Sequence, residues 1–201
     1  MAAGGGGRRA GRWWDDGEGR AAVGGAVGGP VLGLVASAAG GVERWFRTGL
    51  AEPLARRGWR LAVTLTPTAA RWLEPELPGL AGLTDLPVRW TSRLPSEPKP
   101  HPVPDAFAFA PATLNSLAKL AVGIGDNQAL TVLSEALGRR APLVVLAQVG
   151  PDQARHPAYR GHLAVLREAG AQVVTGGPEE VLGALAVFEA RRSELTAKRD
   201  A

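Results

Sequence analysis

The sequence predicts a doubly wound, Rossmann-like α/β domain, in which a mainly parallel sheet carries helices on both faces. Short apolar runs of strand length alternate with longer segments of helical periodicity, which is typical of βαβ units. The length of 201 residues suits one domain, and hydrophobic residues make up 45% of the chain and charged residues 21%, as in ordinary globular proteins. No apolar run approaches the roughly 18 residues that a membrane-spanning helix needs, so no membrane association is expected.

The first 28 residues are predicted to form a flexible tail, and the folded domain is predicted over residues 29–201. The tail is rich in Gly and Arg, and no apolar stretch follows its first arginine pair as a secretory signal would require. A cytoplasmic location is therefore expected.

The next part of the chain predicts two strand–helix units. The apolar run "VLGLVAS" (31–37) is predicted to be a buried strand. Residues 40–58 place apolar side chains at helical spacing and end in Arg-Arg-Gly, a typical helix C-terminus. Pro53 should kink or break this helix. "RLAVTLTP" (60–67) is the second predicted strand, and "TAARWL" begins a short helix.

A Pro-rich, irregular segment runs from Glu74 to Pro104, with "PVRW" (87–90) as its only strand candidate. Three further strand–helix pairs follow it. Their strands are predicted at 105–111, 142–147 and 171–176, and their helices at 113–137, 159–170 and 178–199. Gly170 should close the second of these helices, and Pro178 should open the third.

Composition excludes several classes of function. The chain has no cysteine, so disulfides, thiol nucleophiles and thiolate metal sites are excluded, and we expect no metal site. The net charge of +4 suggests nucleic-acid binding, but the arginine pairs are scattered at 8, 56, 139 and 191 and form no basic stripe. Nucleic acid is not an expected partner.

Small polar residues follow three predicted strands: Ser37, Thr66 with Thr68, and Thr113 with Asn115. In a doubly wound sheet all three strand ends lie at one edge, where ligands bind. Helices that begin there present free backbone N–H groups and a partial positive charge, which suit a phosphate. The alternative is that Ser37, Thr113 and Asn115 are simple helix N-caps. The spacing alone leads no further than a phosphate-bearing ligand.

The stretch "APATLNSLAKLAVGIGDNQALTVL" (110–133) resembles the signature of the flavin-containing cysteine decarboxylases. That family includes phosphopantothenoylcysteine decarboxylase and the lantibiotic-precursor peptide decarboxylases. The matching residues are Pro111, Ala112, Thr113, Asn115, Ser116, Lys119, Gly123, Ile124, Asp126 and Asn127. Weaker resemblance extends from about Val31 to Val174.

The resemblance implies FMN as cofactor and assembly into homotrimers or multiples of trimers. It implies cofactor-binding roles for Ser37, Thr66, Pro111, Ala112, Thr113, Asn115 and Ser116. Asn115 is also implied in catalysis. Gly123 and Gly125 are expected to end the helix that follows the signature, and Asp126 to cap the next one.

The sequence departs from the family at the substrate site. The family's catalytic His lies fourteen residues before the signature proline, where this chain has Glu97. The nearest histidine is His101, which is either a replacement base or an ordinary loop residue. The family's substrate-gripping Pro-Ala-Met-Asn segment aligns with "AQVGPDQARHP" (147–157), which lacks its Asn and Met residues.

The resulting prediction is an FMN-binding flavoprotein with redox or decarboxylase-like chemistry on an unknown small-molecule or peptide substrate. One alternative is a peptide-cysteine oxidative decarboxylase with His101 as base, and another is a non-catalytic interaction subunit. The aromatic residues also favour a homotrimer. Trp45 and Phe46 cannot both face the sheet, and Trp72 and Trp90 have little core to cover them. Aromatic side chains left uncovered in this way are typical of subunit interfaces.

Overall fold

A computed structural model describes residues 29–199, in which five parallel strands form one sheet in the order β2-β1-β3-β4-β5. The strands are β1 Val31–Ala36, β2 Arg60–Leu65, β3 Ala106–Ala112, β4 Leu143–Ala147 and β5 Gln172–Val174. This architecture confirms the predicted doubly wound α/β fold, with each strand within one or two residues of its predicted bounds. The predicted tail, residues 1–28, lies outside the described residues.

Helices cover both faces of the sheet. They are α1 Val42–Trp45, α2 Glu52–Arg56, α3 Pro67–Trp72, α4 Leu77–Ala81, α5 Leu114–Ala121, α6 Gln128–Gly138, α7 Pro151–Ala154, α8 Tyr159–Glu168 and α9 Pro178–Arg199. Gly170 (φ 98°) follows α8 and Pro178 opens α9, as predicted. Within the described part of the chain, no helix is both long and apolar enough to cross a membrane.

Alternate residues of β1, β3 and β4 supply two separate cores, because successive side chains point to opposite faces. Leu32, Leu34 and Ala36 of β1 pack with α1 to α4 and α9 on one face. Val35 packs with β3, α5, α6 and α8 on the other. Every residue of β1 is buried, as expected for a central strand of a parallel sheet.

The predicted helix over 40–58 is interrupted by a π-helical segment, Phe46–Ala51, that joins α1 to α2. Pro53 is the second residue of α2 and has no N–H to donate, so the turn before it cannot complete a normal α-helical ladder. The N–H of Glu52 donates instead to Arg47 O, five residues back. The predicted break is confirmed, and Gly58 (φ 86°) follows the end of α2.

The segment predicted to be irregular, residues 74–104, begins with a 3₁₀ turn, Glu74–Glu76, and with α4, neither of which was predicted. Between α4 and β3 the Pro-rich segment contains no regular strand. Its strand candidate, residues 87–90, forms a single parallel bridge in which Arg89 pairs with Thr64 at the free edge of β2. Arg89 N donates to Val63 O at 2.9 Å and Arg89 O accepts from Leu65 N at 2.7 Å. The segment therefore lies along the free edge of β2.

The helical pattern predicted over 113–137 forms two helices, α5 and α6, separated at residues 122–127. Gly123 (φ 76°) ends α5, as predicted. The prediction that Asp126 caps the next helix is wrong, because Asn127 is the N-cap of α6 and its Oδ1 accepts from Leu130 N at 3.2 Å. Asp126 instead pairs with Lys119 Nζ at 2.5 Å, and this contact lowers the pKa of the Asp126 carboxyl.

The aromatic residues behave as their spacing predicts. Phe46 is fully buried, whereas Trp45 is half-buried at the helix flank and meets the Phe46 ring edge-on, with 6.3 Å between ring centroids. Trp72 is 48% exposed and Trp90 is 39% exposed. Two large aromatic side chains are thus left partly uncovered by the single chain.

Candidate functional site

The carboxyl ends of β1, β3 and β4 surround a cavity of about 450 Å³, here called the strand-end cavity. It lies where β1 has β2 on one side and β3 on the other, the point at which the strand order reverses and ligands bind in doubly wound sheets. The lining residues come from three loops: Ala38, Ala39 and Gly40; Thr113, Leu114 and Asn115; and Gln148, Val149, Gly150 and Gln153.

Ser37 lies beneath this cavity and joins two of its loops. The residue is only 2% exposed. Its Oγ donates to Pro111 O at 2.9 Å and accepts from Thr113 N at 2.9 Å, and its own N–H also donates to Pro111 O. Because both functions of the hydroxyl are satisfied by protein, Ser37 holds the turn after β3 in place.

Thr113 is the N-cap of α5. Its Oγ1 accepts from Ser116 N at 3.4 Å, and Ser116 itself is buried. The backbone N–H groups of Leu114 and Asn115 have no acceptor among the described residues, as is normal for the first turn of a helix. They add a partial positive charge to the wall of the cavity. Asn115 is exposed there, and its side chain makes no hydrogen bond within the described chain.

Pro111 and Ala112 support the strand-end cavity through hydrogen bonds of their backbone carbonyls. Both are buried at the end of β3, where the register with β4 shifts between Phe109 and Ala112. Such an irregularity is where a central strand tolerates a proline. Ala112 O accepts from Gln148 N at 3.0 Å, which ties the β4 loop to the signature segment.

The β4 loop also reaches the β1 loop. Gln148 Nε2 donates to Gly40 O at 2.8 Å, across the base of the cavity. Gln148 and Gln153 are site residues that the sequence prediction missed. The available signal was their position after a predicted parallel strand, since all such strand ends share one edge of the sheet.

Thr66 does not line the strand-end cavity. It is buried at the end of β2, where it caps α3: its Oγ1 accepts from Ala69 N at 3.3 Å and its N–H donates to Ala36 O at 2.9 Å. Of the three strand ends expected to converge, those of β1 and β3 meet in this cavity. A flavin contact by Thr66 stays a prediction.

His101 lines a different cavity, under the Pro-rich segment, so a single chain does not bring it together with Asn115. Its Nε2 lies 2.6 Å from Pro87 O, so Nε2 carries the proton and Nδ1 keeps the lone pair. Burial is the main cause that lowers the pKa of His101, and the charge of Arg89 lowers it further. Glu97 is exposed in the same segment and accepts from Leu94 N.

No titratable side chain lines the strand-end cavity within residues 29–199. It offers backbone N–H groups, one hydroxyl, and the side-chain amides of Asn115, Gln148 and Gln153. These groups can bind and orient a neutral or anionic ligand, but none of them is a general base at neutral pH. In this chain the cavity is thus equipped for binding.

The model of the family described as Flavoprotein matches residues 29–196, nearly all of the described chain. The chain belongs to this flavoprotein family. Membership implies a flavin cofactor, which agrees with the resemblance drawn from residues 110–133.

Known structures share the fold. The crystal structure of the FMN-dependent cysteine decarboxylase TvaF from thioviridamide biosynthesis is 27% identical, with a TM-score of 0.66 over 82% of this chain and 99% of its own. A PPC decarboxylase mutant complexed with pantothenoylaminoethenethiol is 19% identical, with a TM-score of 0.63 over 81% and 99% of the two chains. At 19% identity, the similarity to the PPC decarboxylase mutant shows a shared fold only.

A cysteine/cysteine sulfinic acid decarboxylase from an unknown prokaryotic organism is 33% identical over 81 residues. The aligned part is 40% of this chain and 22% of that protein's length.

Proposed function

We propose that this flavoprotein binds FMN in the strand-end cavity and uses it for redox or decarboxylase-like chemistry on a small-molecule or peptide substrate. The observation that carries the proposal is the cavity itself, which lies at the sheet's switch point with the signature residues Thr113 and Asn115 in its wall. The similarity to the FMN-dependent cysteine decarboxylase TvaF supports FMN over other flavins.

The residues of the cavity fit a phosphate-tailed ring system. Its volume of about 450 Å³ lies within the range of small-molecule sites, roughly 300–1,000 Å³. Within the part of the chain that the structure describes, no acidic side chain lines it to repel a phosphate. The unpaired N–H groups at the start of α5 are suited to bind the phosphate, and the small residues Ala38 to Gly40 leave room for it.

FMN would supply a two-electron acceptor when bound. Asn115 is the residue best suited to position a substrate carboxylate or carbonyl, since its amide can both donate and accept and has no protein partner within the described chain. A proton acceptor has to come from outside this cavity. The substrate, solvent or a second copy of the chain would supply it.

Optical titration of the purified protein with FMN tests the proposal. We expect a yellow protein with one FMN per chain and a shifted flavin spectrum. Asn115→Ala should weaken binding more than His101→Ala, because only Asn115 lines the cavity. A colourless protein that takes up no FMN would refute the cofactor assignment, and equal effects of the two substitutions would refute its location.

A peptide-cysteine oxidative decarboxylase is the second candidate, favoured by the similarity to TvaF. It requires His101 as base through Nδ1, the nitrogen that the Pro87 contact leaves free. His101→Ala should then abolish CO2 release from a peptide ending in cysteine while FMN stays bound. Unchanged CO2 release would remove His101 from the mechanism. FMN binding without turnover of any thiol acid would favour a non-catalytic interaction subunit.

Assembly into a homotrimer, or a multiple of one, is part of the proposal. The exposed Trp72 and Trp90 are suited to an interface. A neighbouring copy would also bring ionisable groups to a cavity in which the described residues place none. Light scattering should give a multiple of three chains, and a mass near the single-chain 20.9 kDa with FMN still bound would refute the trimer. We place this assembly in the cytoplasm.

A further inference from the structure

A second cavity, of about 430 Å³, lies between the sheet and the Pro-rich segment; it is here called the edge cavity. Its floor is formed by β1, β2 and β3, one wall by α6 and the other by residues 89–104. No residue that lines the strand-end cavity also lines the edge cavity. The two are separate features of the same sheet.

The wall of the edge cavity is strongly cationic. Among residues 29–199, four basic side chains line it, Arg89, Arg93, Lys99 and Arg139, against one carboxylate, that of Glu135. None of these five residues forms an ion pair with any other described residue. Three positive charges are therefore left without a counter-charge in the lining, and the concave shape of the cavity concentrates their field.

Two of the guanidinium groups are held in place by the loop itself. Arg93 Nη1 donates to the carbonyls of Leu94, Pro95 and Glu97 at 2.8–3.2 Å. Arg89 Nη2 donates to Thr91 O at 3.2 Å. The remaining N–H groups of both side chains have no acceptor among the described residues. Donors that are already ordered lose less entropy when they bind an oxyanion.

The floor of the cavity is apolar. Val35, Ala62 and Phe107 form it beside Gly33, and each is at most 2% exposed. Val103 and Val132 in the two walls add apolar surface that a ligand can reach. The ring of Phe107 lies directly on Gly33, since a Cβ at that glycine would come within 2.3 Å of the ring. A ligand in this cavity would thus meet both hydrocarbon and cations.

We propose that the edge cavity binds a small amphipathic oxyanion, a carboxylate or phosphate ester carried on an apolar body. The basic side chains would bind the oxyanion, and the apolar part of the lining, with Val103 and Val132, would cover the body. The inference does not depend on the proposed function, because it requires neither FMN nor any residue of the strand-end cavity.

Isothermal titration of the FMN-saturated and the flavin-free protein with three probes tests this. The probes are 3-phenylpropionate, phenyl phosphate and the uncharged 3-phenylpropionamide. We expect one site per chain for the anions, similar affinity in both forms of the protein, and at least tenfold weaker binding of the amide. The anion that binds more tightly, 3-phenylpropionate or phenyl phosphate, shows whether the site prefers a carboxylate or a phosphate. Equal binding of the amide, or loss of binding when FMN is present, would overturn the proposal.

Charge variants with opposite signs provide the control. Arg139→Gln should weaken anion binding about fivefold, the effect of one solvent-screened charge at contact distance. Glu135→Gln, one helical turn away, should strengthen it by a similar factor. Arg160→Gln removes an exposed charge from α8, which does not line the cavity, and should change nothing. Equal effects of the two arginine substitutions, or weaker binding in Glu135→Gln, would refute a site at the edge cavity.

Discussion

Replacement of Ser37 by Ala tests the hydrogen bonds that hold the strand-end cavity together. The substitution removes the acceptor of Thr113 N and one of the two donors to Pro111 O, while Pro111 O keeps its bond from Ser37 N. An orphaned N–H costs about 1–3 kcal/mol, and loss of the second donor adds about 0.5–1 kcal/mol. We expect the free energy of unfolding to fall by about 2–3 kcal/mol.

Urea unfolding followed by tryptophan fluorescence measures this loss. With an m value of about 2 kcal/mol/M, the midpoint should fall by about 1 M. All variants are compared free of flavin, because a ligand that binds the native state adds stability of its own.

Ser134→Ala is the matched control for this measurement. The Ser134 hydroxyl is buried and has no hydrogen-bond partner among the described residues, so its removal should be neutral or slightly stabilising. The reasoning fails if Ser37→Ala stays within about 0.5 kcal/mol of wild type, or if Ser134→Ala costs as much.

Three further outcomes are expected. Trp59→Ala should lower the free energy of unfolding by about 3–5 kcal/mol in urea melts, since the buried Trp59 stacks on Phe188 of α9 and donates to Glu189; a loss below about 1 kcal/mol would contradict this packing. The pKa of His101 is lowered in the folded protein, so His101 binds a proton more readily in the unfolded protein than in the folded one. The protein should therefore lose stability as the pH falls below about 6.5. In His101→Asn this part of the pH dependence should be absent. If the free energy of unfolding of the wild-type protein is the same at pH 5 and pH 7, the effect assigned to His101 is refuted. The protein should not turn over phosphopantothenoylcysteine, because it has no cysteine and lacks the family's substrate-gripping Asn, and release of CO2 and phosphopantetheine at enzymatic rates would show otherwise.

The local signals that proved reliable are those set by backbone chemistry. Gly58, Gly123 and Gly170 adopt positive φ at the ends of helices, where a residue without Cβ is favoured. Pro53 marked the interruption of the first helix. The choice between Asp126 and Asn127 as cap was wrong, because both are good N-caps by type and only the path of the loop decides which one precedes α6.

The sequence by itself determined the alternation of strands and helices, the two-sided burial of the sheet and the signature at residues 110–133. These follow from periodicity, capping and residue type, which act over a few neighbouring residues. Only the tertiary structure decided that the Ser37 hydroxyl is hydrogen-bonded to the turn after β3 and that the Gln148 side chain donates to Gly40. It also decided that His101 and Asn115 line different cavities. Each of these contacts joins segments far apart in the chain, and their distances depend on strand order and loop path, which no local pattern encodes.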